Sequence, residues 1–109
     1  MIDNQKQVTA LMGDLKAHLP IPAKATKSLC DLLRRQSIDI SADTFLEIID
    51  VMYMGDEGGI CCAIQAAGQE KAAVVVSLTH LRLPPNSPLA KNVTAYQTQR
   101  VKKLAKLNR

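Results

Sequence analysis

Three sets of side chains in this sequence are of types that carry chemistry. The first combines thiol and imidazole: Cys61 and Cys62 stand side by side in one apolar run, and His80 lies in the next. A thiol becomes nucleophilic only when a neighbouring base or cation lowers its pKa. A Cys–His dyad therefore requires a fold that brings His80 against one of the pair. Adjacent residues of a strand point to opposite faces, so Cys61 and Cys62 should not bridge each other and should show one thiol to each side. With Cys30 the cysteine count is three. An odd number with an adjacent pair is a poor disulfide framework and fits reduced thiols in the cytoplasm. No Cys-x-x-Cys spacing supports a zinc or thioredoxin-type site.

The second set is the carboxylate pair Asp56 and Glu57, flanked by Gly55, Gly58 and Gly59. Two carboxylates on a loop could hold a cation or serve as acid and base. A calcium loop needs further oxygen ligands at regular spacing, and a phosphate-binding loop continues into Lys-Ser/Thr; neither follows here. The glycines suit a solvated hairpin turn. They would also let a ligand or protein approach the backbone closely. No catalytic residue, cofactor or metal is assigned on this basis.

The third set is cationic. Residues 1–70 carry six Lys/Arg against ten Asp/Glu, whereas residues 71–109 carry eight Lys/Arg and no acid. Such asymmetry fits a polyanion or an acidic protein surface as partner. On a helix at about 100° per residue, Leu89, Val93, Tyr96, Val101, Leu104 and Leu107 share one broad face. Lys91, Lys102, Lys106 and Arg109 then fall opposite, Lys103 lies to one side, and Arg100 must snorkel beside the apolar stripe. The cations could follow phosphates with strong salt dependence, or form a solvated face that suits a helix C-terminus. Only Phe45, Tyr53 and Tyr96 are aromatic, which argues against a reader that stacks single-stranded bases.

The elements that must position these groups can be read in turn. The length of 109 residues is that of one domain, and 47% apolar residues suffice for one core. No run reaches the roughly 20 apolar residues that span a membrane, and the first residues do not resemble a signal peptide. Val8, Leu11, Met12, Leu15 and Leu19 predict a helix over 4–18. Pro20 and Pro22 end it, and Pro22 suits the first turn of a second helix striped by Ala25, Leu29, Leu32 and Leu33. Residues 44–54 fit a helix capped by Ser41 or a strand. The glycine-rich turn that follows favours the strand. With the hairpin tip at Glu57-Gly58, Tyr53 should lie across from Cys62, and Met54 across from Cys61. A strand over 59–66, a turn at 68–70 and a strand over 72–83 complete a meander. Ser87 and Pro88 then open a helix to Leu107.

The expected fold is therefore α+β: a single domain over 1–109 built on a three-stranded antiparallel meander with helices, in the order α-α-β-β-β-α. Its α-β-β-β-α portion resembles double-stranded-RNA-binding domains in element order. That family's loop and helix signatures are not found, and element order alone assigns no function. Both faces of the 44–54 strand are largely apolar, with Glu47 and Asp50 on opposite sides. Such a strand should be covered twice, by helices on each side or by a second subunit. The leading expectation is thus a non-enzymatic interaction domain that forms a homodimer through a sheet face or a helix. Nucleic-acid binding through Lys91, Lys102, Lys103, Lys106 and Arg109 is one alternative. A small enzyme around the 55–59 hairpin, using Asp56, Glu57, Cys62 and His80, is the other. Val75, central in the last strand, is expected in the core, where Val75→Asp would unfold the domain.

Overall fold

A computed structural model describes residues 3–37, 40, 45–66 and 74–107. Its elements are α1 (Gln5–Ala17), β1 (Ile21–Ala25), α2 (Lys27–Arg34), β2 (Phe45–Tyr53), β3 (Ile60–Ala66), β4 (Val74–Ser77), β5 (Leu81–Arg82) and α3 (Ala90–Leu107). One-turn 3₁₀ helices occupy Gly55–Glu57 and Leu78–His80. The fold is α+β, as expected, but the sheet has five antiparallel strands in the order β4-β3-β2-β1-β5. The edge strands β4 and β5 are joined only by the turn at 78–80. So short a link demands a sheet curled into a half-barrel.

Two expected elements are redrawn. The helix expected from Pro22 is a strand followed by a helix. Ile21, Ala23 and Ala25 are buried, Pro22 is exposed and Lys24 is half-buried. This is the period-two alternation of a strand. Pro22 is tolerated because β5 pairs with β1 only at Lys24 and Ala25, so its missing N–H interrupts no ladder on that side. The helix starts after Thr26, whose side chain caps it by accepting from Leu29 N. The expected strand over 72–83 is broken in two. Ser77 accepts from Thr79 N and starts the 3₁₀ turn, which carries the chain from one sheet edge to the other. The remaining helices agree with expectation apart from their ends: Ser87 accepts from Leu89 N ahead of α3. The expected cap at Ser41 and turn at 68–70 lie outside the described residues.

All three helices contribute to one core on the inner side of the sheet. Leu11, Leu15, Leu29, Leu33, Val93 and Tyr96 meet Ile21, Leu46, Ile48, Val51, Ile60, Cys62, Ile64 and Val76 there. Tyr96, Leu15, Leu29, Ile48, Ile60 and Cys62 are almost wholly shielded. Leu78 and Leu81, on either side of His80, close the same core. Their carbonyls accept from Gln97 Nε2 of α3 at 2.7 and 2.6 Å. That side chain satisfies the backbone of the link at which the curled sheet closes.

Coverage of β2 on both sides by this chain is not observed among the described residues. The core cluster takes only the inner-facing residues of the strands. On the outer side Phe45 is 61% exposed and Val75 is 53% exposed, so Val75 is not a core residue. A bulge in β2 shapes this face. Ile48 pairs with Ile64, but Asp50, not Ile49, pairs with Ala63. The extra residue turns Asp50 to the same side as Glu47, rather than the opposite side. The bulge also returns Val51 to the core.

Candidate functional site

The outer face of the sheet collects the exposed strand residues. Across it run Arg82 of β5, Lys24 of β1, Phe45 and Glu47 of β2, Gln65 and Ala63 of β3, and Val75 of β4. Met52 faces Cys61 on the same side and is half-buried. The small residues Cys61 and Ala63 are themselves buried, and Cys61 Sγ donates to the Gly58 carbonyl of the hairpin loop at 3.7 Å.

The charges on this face are segregated. Lys24 and Arg82 sit directly opposite each other on adjacent strands, a like-charge pairing that costs stability. Lys24 Nζ lies 5.0 Å above the Phe45 ring. Glu47 and Asp50 occupy the neighbouring strand and are exposed. Among the described residues, none of these four charges belongs to an ion pair; Asp3–Arg100 is the pair observed. The face is thus an apolar patch beside exposed charge of both signs, unpaired among the described residues.

The thiols divide as expected, one to each side, although the register differs by two residues. Tyr53 pairs with Ile60, Met52 with Cys61 and Val51 with Cys62. The shift arises because Gly55–Glu57 forms a helical turn and makes the hairpin loop longer. Gly55 (φ 68) and Gly59 (φ 65) both adopt left-handed conformations, which is the demand that puts glycine there. Cys62 faces the core, where burial and then the neighbouring Cys61 push its pKa up to about 12. Burial also raises the Cys61 thiol. Neither shift favours a thiolate.

His80 has other partners. Its Nδ1 is 3.1 Å from Ser28 Oγ, and its carbonyl accepts from Thr26 Oγ1 at 2.8 Å. Burial lowers its pKa. No described hydrogen bond joins it to either thiol. His80 therefore docks the β4–β5 link onto the start of α2. Asp56 and Glu57 are exposed on the hairpin loop, and no group of three or more metal-ligating side chains occurs among the described residues.

The basic helix is placed as follows. Lys91, Lys102 and Lys106 are exposed on α3 and Lys103 is half-buried; Arg109 lies outside the described residues. Val101 is 57% exposed and leaves the buried stripe. Arg100 replaces it, continuing Leu89, Val93 and Tyr96 at helical spacing. It does not snorkel: it is 4% exposed and paired with Asp3.

That pair is the polar centre of the molecule, and sequence reasoning missed it. Arg100 Nη1 donates to Asp3 Oδ2 at 2.9 Å, and Nη2 donates to the Asp56 carbonyl at 2.8 Å. The hydroxyls of Tyr53 and Tyr96 each donate to Asp3 Oδ2 at 3.2 Å. Tyr96 also accepts from Ile60 N at 2.9 Å. Burial, followed by smaller effects that include the Asp3 charge, pushes Tyr96 up to about 12. The 55–59 loop is therefore held from below by Arg100, its Gly59 pressed so close to Tyr96 and Arg100 that a Cβ would overlap them. The available signal was an arginine on the apolar stripe of a helix, which calls for a buried acid. No known protein family, curated protein or solved structure matches the chain.

Proposed function

We propose that the chain is a non-enzymatic interaction domain that pairs with a second copy of itself through the outer face of its sheet. The observation that carries this reading is the exposure of Phe45 and Val75 on a face that no described helix covers. Charge argues for a copy of the same chain as occupant. The face offers the cations Lys24 and Arg82 and, on the next strand, the acids Glu47 and Asp50. A two-fold contact presents the same patch twice, so the cations of one copy can meet the acids of the other. That arrangement would relieve the Lys24–Arg82 repulsion and shield Phe45 and Val75 together.

Sedimentation of the native chain tests the reading, with Val75→Asp and Lys24→Glu measured beside it. A dimer of the 11.9 kDa chain is expected, weakened by either substitution. In a chain carrying Lys24→Glu, the further change Glu47→Lys should restore association. A native chain that sediments as a monomer at high concentration overturns the reading.

A second reading rests on α3. Lys91, Lys102 and Lys106 are exposed on a helix that contains no acid, which suits a phosphate backbone. Retention of duplex DNA or RNA at low salt, lost on raising salt and in Lys102→Glu/Lys106→Glu, would support it. No retention of any nucleic acid at low salt would end it.

A further inference from the structure

Two of the three donors around the Asp3 carboxylate are organised by bonds that do not involve Asp3. Arg100 is aimed by its second nitrogen, which is fixed on the Asp56 carbonyl at 2.8 Å. Tyr96 accepts the Ile60 N–H at 2.9 Å, so its own proton is free to point at the carboxylate. Tyr53 supplies a third donor from β2. All three converge on one oxygen, Asp3 Oδ2, at 2.9 to 3.2 Å. The donors belong to β2 and α3, whereas the carboxylate comes from residue 3, ahead of α1 and in no helix or strand. A guanidinium flanked by oriented hydroxyls is the chemistry that recognises a carboxylate.

We propose that Arg100, Tyr96 and Tyr53 form a carboxylate-binding site that the chain occupies with its own Asp3, and that a free carboxylate can take Asp3's place when the Asp3 side chain leaves it. A buried guanidinium left without its anion is strongly unfavourable, so the vacated site has a standing demand for a carboxylate. The same guanidinium holds the 55–59 loop, so occupancy of the site also sets how firmly that loop is fastened.

Asp3→Ala vacates the site in an otherwise intact chain. Its thermal midpoint is measured in sodium formate, sodium acetate and sodium chloride at matched ionic strength. The midpoint should fall by several degrees relative to the native chain and recover saturably with formate or acetate, beyond any effect of chloride. Asp3→Ala/Arg100→Met should show no such recovery. The native chain, already filled, should respond to formate no more than to chloride. If Asp3→Ala fails to fold in plain buffer, its refolding yield in formate against chloride gives the same answer. A peptide of residues 1–6 forms a separate arm. Recovery with that peptide but with neither small anion would mean that the terminal segment is recognised as a whole, and would overturn a site for free carboxylates. Equal responses of Asp3→Ala to formate, acetate and chloride would overturn it too.

Discussion

Val75 and Val76 are neighbours of the same type in β4, yet Val76 is 4% exposed and Val75 53% exposed. The contrast extends across the sheet. Ile48, Cys62 and Val76 line an inner side sealed by three helices, while Phe45, Glu47 and Val75 line an outer side that no described helix covers. Residue type within β4 does not distinguish the two faces, because each receives a valine. What distinguishes them is the number of helices. The three described helices fill the inside of a half-barrel, and none of them covers the outside. An apolar residue on such a strand is therefore weak evidence of a core, and the identity of its cross-strand neighbours decides.

The largest expected effect tests this contrast directly. Val76→Asp places an unpaired charge among Cys62, Ile64 and the helices and should unfold the domain, at a cost of roughly 3–5 kcal/mol. Urea melts followed by circular dichroism will show it. At dilutions where the chain is a monomer, Val75→Asp should leave the melt almost unchanged. Equal losses at both positions would mean that the outer face is buried in the folded chain.

The next effect lies where the inner side is closed by α3. Gly59 combines a left-handed backbone (φ 65) with contact against Tyr96 and Arg100. Gly59→Ala should cost roughly 2–4 kcal/mol by straining the backbone and displacing the Tyr96 hydroxyl from Ile60 N. Gly55, equally left-handed but with open space where a Cβ would sit, should cost about 1 kcal/mol on the same change. The difference between the two melts isolates the contact from the strain.

Alkaline pH separates the faces through titration. Cys62 and Tyr96 are each raised to about 12 in the folded chain. In the unfolded chain they would ionise near their ordinary values of about 8.5 and 10. Raised acidic groups stabilise the fold fully below the unfolded pKa and lose that contribution as pH climbs to the folded one. Stability should therefore decline from about pH 9 to pH 12, each group contributing up to about 1.4 kcal/mol per pH unit. Cys62→Ala should remove the earlier part of that decline, whereas Cys61→Ala should remove less. Thiol alkylation of the native chain at mildly alkaline pH should likewise reach Cys61 sooner than Cys62. Mass spectrometry of the modified peptide reads the order.

The parts of this fold legible in the sequence were those set by local signals. The α1 stripe, the strand at 45–53 and the glycine turn after it were all visible as periodicity or turn chemistry. The rest depended on tertiary pairing. Ile21-Pro22-Ala23-Lys24-Ala25 alternates as a strand, but Pro20 and Pro22 read more readily as helix stop and start. The break at Ser77 interrupts a run whose β-propensity is continuous, because the chain must cross to the far sheet edge. The bulge at Ile49 reverses the side on which Asp50 lies, and nothing in the residue types announces it. The exposed lysines of α3 were placed correctly because a helix needs only its own period. Arg100 was misjudged because its partner Asp3 is 97 positions away along the chain. The candidate outer face was legible only as an excess of apolar residues on both sides of one strand. Which side would be open required the helices to be counted.

The smallest expected effect on stability is also the sharpest test of the outer face. Phe45 is exposed and, among the described residues, no part of the core cluster; its described contact is with the Lys24 ammonium at 5.0 Å. An exposed cation–π pair of this kind contributes about 0.5–1 kcal/mol. Phe45→Ala should therefore move the urea midpoint of the isolated chain only slightly. If the outer face meets a second copy, the same change removes a large ring from the contact and should weaken association far more than it weakens folding. Lys24→Met offers the complementary case, because it removes both the cation over the ring and the repulsion with Arg82 while keeping an apolar stem. Its stability should stay within about 0.5 kcal/mol of native, yet association should fall if the Glu47 and Asp50 carboxylates of another copy are what Lys24 meets. Phe45→Ala and Lys24→Met that leave both folding and sedimentation unchanged would make the outer face a solvated surface, and the contrast between Val75 and Val76 would then concern folding alone.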